Sequence, residues 1–228
     1  KAKKDGRATR SDWMAIEKAR GISVATSVMT FEYDGAVFNL LDTPGHEDFS
    51  DDTYRTLTAV DSAIMVIDAA RGIEARTQKL FEICRLRDIP IVTFINKLDR
   101  EAREPLDLLD EIEKTLALDT APMVWPIGQG RDFRGTYDLY ASRVRRLDEN
   151  FDGQPVSGPD DPLFAELLEG DAHKRWREEI GLVAEACGRF DLEAFRQGTL
   201  TPVFFGSALK NFGVRDVLDA LKTHAPPP

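Results

Sequence analysis

The chain has 228 residues, 42% of them hydrophobic and 31% charged, with a formal net charge of −10. This composition supplies a sizeable core for one large domain, or one domain carrying an insertion, and it excludes a disordered chain. The acidic balance argues against a DNA-coating protein, because non-specific nucleic-acid binding favours basic surfaces, although basic contacts can sit on other domains.

The basic start Lys1–Arg10 is followed by no apolar run, so it is not a secretory signal. Ile22 to Tyr33 reads as an extended, β-branched stretch. Asp34-Gly35 is a hairpin-turn signal, and Val37 to Leu41 is the return strand. A helix is expected from Asp48 to about Ala59. Ala63 to Ile67 is an unbroken apolar run of strand length, typical of a parallel sheet covered on both faces. A helix follows from about Glu74 to Arg87, with Leu80, Ile83 and Leu86 at helical spacing. Ile89 to Ile95 repeats the buried-strand pattern, and Leu109, Ile112 and Leu116 mark another amphipathic helix.

From about Trp125 to Thr199, Gly, Pro and Asp become frequent and the alternation breaks. Short helices are expected near Pro162–Leu168, His173–Cys187 and Asp191–Gln197. Pro202 to Phe205 is one more buried strand, and Val214, Val217, Leu218 and Leu221 give a closing helix. The pattern is that of an α/β doubly wound, mostly parallel sheet with a helical or mixed insertion. The expected division is a core over 1–124, an insertion subdomain over 125–199, and the last strand and helix over 200–228. The chain opens without Met and ends on three prolines, which reads as a fragment cut at both ends. No run reaches the ~18 apolar residues of a membrane span, so no membrane partner is expected. Cys84 and Cys187 lack metal-ligand spacing and read as free thiols of a reducing cytoplasm.

In such sheets ligands bind at the carboxyl ends of the strands. The polar residues that follow the apolar runs are therefore the candidates. After Leu41 come Asp42-Thr43-Pro44-Gly45-His46. A carboxylate at a strand end can hold Mg²⁺, usually through water, and the glycine lets a backbone N–H approach a phosphate oxygen. A turn with a helix cap explains the same string, and His46 then is a solvent-facing turn residue. After Ile95 come Asn96-Lys97-Leu98-Asp99. Guanine presents N1–H and its exocyclic amino group side by side, and one carboxylate accepts both; adenine offers no such pair. Asp99 suits that role, Asn96 can brace the loop, and the Lys97 stem can lie over the ring. A polar helix cap is the plain alternative. After Phe205 come Gly206-Ser207-Ala208, small enough to let a backbone N–H reach guanine O6. All three strings follow apolar strands in the expected order, and together they point to GTP or GDP.

The order DTPGH, NKLD, GSA resembles the translational GTPases. Arg20-Gly21-Ile22-Ser23 resembles their first switch, which implies that the Ser23 hydroxyl completes the Mg²⁺ shell begun by Asp42. Within that family, Thr26-Ser27-Val28-Met29 and the strings around DTPGHEDF, INKLDRE and PVFFGSALKNFGV are similar to the release-factor-three group. The elongation factor G group is the alternative; it shares a long insertion, and about 107 residues separate Asp99 from Ser207 here. The resemblance implies a P-loop GTPase fold, His46 as the catalytic histidine that positions water, and two partners: the ribosome through its large-subunit RNA, and class I release factors. It also exposes a departure. No G-x-x-x-x-G-K-S/T occurs in the 228 residues. The expectation is a sheet without its first strand and phosphate loop and a chain that is inactive by itself; a non-catalytic, ribosome-binding truncated relative is the other alternative.

Overall fold

The structure is a computed structural model, and it describes residues 27–43, 55–57, 59–148 and 153–227. The described residues fall into two compact units that divide between Val60 and Asp61.

The first unit contains an antiparallel hairpin, β1 (Ser27–Tyr33) and β2 (Ala36–Asp42). Its two-residue turn places Asp34 at φ 47° and Gly35 at φ 76°. Two successive positive φ values match the twist of the flanking strands, which is why Asp-Gly was readable as a turn. Directly opposite one another, Phe31 and Phe38 stack with centroids 5.5 Å apart. On the other face Thr30 Oγ1 donates to Asn39 Oδ1 at 2.8 Å. Of the helix expected over Asp48–Ala59, only part is described, and residues 55–57 are helical.

The second unit is built on a four-stranded parallel sheet. Its strands are β3 (Ala63–Asp68), β4 (Ile91–Asn96), β5 (Asp119–Pro122) and β10 (Leu200–Phe205), in the order β3-β4-β10-β5. Helices α1 (Ala75–Leu86) and α2 (Pro105–Leu116) make the crossovers. β10 is buried at every residue and β4 at all but Asn96, as expected for strands covered on both faces. The polar residues inside them are paired: Thr201 Oγ1 lies 2.8 Å from Thr93 Oγ1 and donates to the Ile91 carbonyl at 2.7 Å. Among the described residues β3 pairs with β4 alone, and Val66 on this edge is 54% exposed. One expectation shifts. Leu86, the last residue of α1, is 85% exposed, and α1 buries Phe81 and Cys84 instead.

Between β5 and β10 the chain forms a second sheet, antiparallel, of β6 (Val124–Ile127), β7 (Gly135–Asp138), β8 (Arg143–Arg146) and β9 (Gln154–Pro155). Helices α3 (Pro162–Leu167), α4 (Asp171–Ala186) and α5 (Leu192–Arg196) follow, close to the three expected spans. The four strands were not legible, since none is longer than four residues. Tyr137 of β7, Phe164 of α3 and Trp176 of α4 form their shared core, with centroids 4.3–5.8 Å apart. Trp176 Nε1 donates to the Pro126 carbonyl at 2.8 Å, which satisfies its polar end. Helix α6 (Val214–His224) closes the chain.

Candidate nucleotide site

The parallel register sets strand ends side by side. Asp68 of β3 is level with Asn96 of β4, and Phe205 of β10 is level with Ile95. The turns after β4 and β10 therefore emerge together, although their sequences are remote.

Three contacts join these turns, and one more closes the first of them. Asn96 Oδ1 accepts from the N–H of Lys97 at 2.8 Å and from the N–H of Ala208 at 2.9 Å. The Leu98 N–H donates to the Gly206 carbonyl at 3.1 Å, and Leu98 is fully buried. Ser207, also fully buried, donates its hydroxyl to Asp99 Oδ1 at 2.5 Å. Gly206 is required by space: a Cβ there would meet the Phe212 carbonyl and come 3.0 Å from the Phe94 ring. The structure thus brings together Asn96, Lys97, Leu98, Asp99, Ser207 and Ala208. The Ala208 N–H is engaged by Asn96.

Lys97 has φ +73°, which turns its side chain back toward β3. Its Nζ donates to Asp68 Oδ2 at 2.6 Å. Asp68 Oδ1 also accepts from the Ala70 N–H at 2.9 Å. Burial opposes ionisation of Asp68, but the Lys97 ammonium and the Ala70 and Arg71 amides outweigh it. Its carboxyl is held below the ordinary value. Asp68, Arg71, Glu74, Thr77, Asn96 and Lys97 line one polar recess at these strand ends. The loop after β3 is clamped there: Arg103 Nη1 pairs with Glu111 Oε2 at 2.5 Å, Glu111 Oε1 accepts from Ile73 at 3.3 Å, and Arg103 N–H donates to Ala69 at 3.0 Å. Gly72, at φ +71°, passes so close to that ion pair that any side chain would collide with it.

Asp42 ends β2, opposite Ser27, and Thr43 follows it; both belong to the first unit. Ser23, Pro44, Gly45 and His46 lie outside the described residues. Asp68 was missed by the sequence reading. The signal was available, because it ends an apolar strand as Asp42 and Asn96 do.

A family model, the elongation factor Tu GTP binding domain, matches residues 1–227. The chain belongs to this family of translational GTPases. Curated relatives include peptide chain release factor 3 of Bordetella petrii, 55% identical over all of this chain and 43% of that protein. Peptide chain release factor 3 of Nitrosomonas eutropha is 54% identical over all of this chain and 44% of that protein. The chain spans somewhat under half the length of these relatives. A crystal structure from Thermus thermophilus has the same fold, with a TM-score of 0.76 at 23% identity, covering 97% of this chain and 35% of that one. Membership of the translational GTPases accords with the parallel sheet and its strand-end turns. Among the described residues no helix is long and apolar enough to cross a membrane.

Proposed function

We propose that the turns after β4 and β10 bind the guanine base of GTP and GDP, and that the chain is the greater part of the GTPase domain of a release-factor-three type translation factor. The observation that carries the reading is the Ser207–Asp99 hydrogen bond at 2.5 Å. A buried hydroxyl that holds one carboxylate oxygen fixes the orientation of Asp99. The carboxylate can then receive N1–H and the exocyclic amino group of guanine without reorganising. Lys97, held by Asp68, lays its stem along the ring. Asn96 locks the two turns in register. The whole-chain identity to release factor 3 favours that group over elongation factor G.

Asp42 and Ser23 would contribute the protein oxygens to Mg²⁺, with water and nucleotide oxygens completing the shell. Among the described residues no three His, Cys, Asp or Glu side chains converge on a metal position. Mg²⁺ keeps much of its water and takes one or two carboxylates beside phosphate oxygens. Bound there, it would neutralise charge on the transferring phosphate. His46, next to Gly45, would orient the attacking water when the ribosome's large-subunit RNA engages it. Hydrolysis would release the two switch segments. In the full-length protein this cycle removes class I release factors from the ribosome in the cytoplasm. Residues 125–199 would form an insertion subdomain of that machine.

Fluorescent GTP and GDP binding tests the reading, with this chain and a form extended to the length of its relatives measured side by side. The extended form should bind both nucleotides with ATP as a poor competitor. The 228-residue chain should bind neither at micromolar concentrations, because it lacks the phosphate-loop motif. Equal competition by ATP would remove the guanine assignment.

A further inference from the structure

The loop that joins β6 to β7 reaches into the candidate base site. Gly130 N–H donates to the Leu98 carbonyl at 2.8 Å, and Leu98 N–H donates to the Gly206 carbonyl at 3.1 Å. One chain of backbone hydrogen bonds thus runs from Gly130, through the turn that carries Asp99, to the residue before Ser207. Three residues further on, Phe133 is 3% exposed and meets Phe212 edge to face, with centroids 5.6 Å apart. Phe212 exchanges two backbone hydrogen bonds with Ser207, at 2.9 and 3.1 Å. The loop therefore contacts both turns, one by a hydrogen bond and one by an aromatic ring. Two further contacts tie the same antiparallel sheet to β10 of the parallel sheet and to α6. Trp125 packs edge to face on Phe205 at 5.4 Å, and Arg145 of β8 pairs with the buried carboxylate of Asp216 in α6.

We infer that Gly130 and Phe133 are positioning residues for the guanine base, and that they set the spacing between the Leu98–Asp99 turn and the Ser207–Ala208 turn. The inference rests on the guanine reading above. Its physical basis is the angular demand of hydrogen bonds, which weaken steeply once a donor and acceptor lose alignment. A carboxylate that accepts two donors at once is more sensitive still. Loosening the brace should therefore cost most where both donors are present. The coupling is also reciprocal: if the brace favours guanine binding, bound guanine must favour the closed brace.

The test uses the form extended to the length of the relatives, with GDP, inosine diphosphate and ADP as ligands. Inosine lacks the exocyclic amino group. Phe133→Ala should weaken GDP binding about fivefold, the low end of usual couplings between sites, and lower the GDP-to-inosine diphosphate preference about threefold. Phe133→Leu should restore both. In the wild-type protein, saturating GDP should slow amide exchange at Gly130 more than inosine diphosphate does; this measurement needs no variant to fold. A Phe133→Ala protein that melts earlier with an unchanged nucleotide preference, or a Gly130 amide indifferent to GDP, overturns the brace. A wild-type protein that does not prefer GDP to ADP overturns the guanine reading, and the brace falls with it.

Discussion

Ser207 and Asp99 stand 108 positions apart in the chain, yet the Ser207 hydroxyl donates to Asp99 Oδ1 at 2.5 Å. Parallel pairing of β10 with β4 makes this possible, because it delivers two strand ends to one place. The bond makes Asp99 an oriented acceptor rather than a mobile surface carboxylate.

The base preference should follow from that orientation. In the extended form, Asp99→Asn should move preference from guanine toward xanthine, whose C2 oxygen suits an amide donor. Ser207→Ala should keep guanine preference but weaken GDP about tenfold, as expected for a hydrogen bond to a charged group at ~1.5–3 kcal/mol. Dissociation rates of fluorescent nucleotides measure both. Equal GTP affinity in wild type and Asp99→Asn would remove Asp99 from the site.

Asp68 holds Lys97 at 2.6 Å, and its carboxyl lies below the ordinary value. A depressed carboxyl adds stability above its unfolded pKa of ~3.9 and loses it as pH falls through the folded value. Asp68→Asn should therefore lower the melting temperature by a constant amount from pH 5 to 7, with the difference closing below about pH 4. The pair is partly exposed, with side chains 47% and 20% accessible, so the neutral-pH effect should be within ~1 kcal/mol. A difference that grows toward acid pH contradicts the arrangement.

Two glycines should respond oppositely to alanine. Gly206→Ala forces a methyl against the Phe212 carbonyl and the Phe94 ring, and should destabilise by ~1–3 kcal/mol. Gly181 lies inside α4 with open space around its missing Cβ. Gly181→Ala should stabilise by ~0.5–1 kcal/mol, since glycine is the costlier helix residue. Denaturant melts of the 228-residue chain report both.

His46→Ala, in the extended form, should leave GTP binding nearly intact and abolish hydrolysis stimulated by ribosomes. The motivation is its place directly after Gly45. Single-turnover hydrolysis with and without ribosomes decides it, and an unchanged stimulated rate reduces His46 to a turn residue.

The sequence by itself determined the parallel core and the candidates at its strand ends. Unbroken apolar runs such as Ala63–Ile67 cannot be satisfied in water, and the first polar residue after the run marks where the strand leaves the core. The Asp34-Gly35 turn was equally local, because backbone sterics alone select it. The tertiary structure decided the rest. Strands as short as Gly135–Asp138 carry too few residues for a period, and they exist because the partners across the sheet complete their hydrogen bonds. Leu86 is exposed although it falls on the helical apolar period. The pairing of Lys97 with Asp68, of Ala208 with Asn96 and of Phe133 with Phe212 depended on strand order. Strand order is set by which buried faces fit one another across the whole unit, and no window of neighbouring residues contains that information.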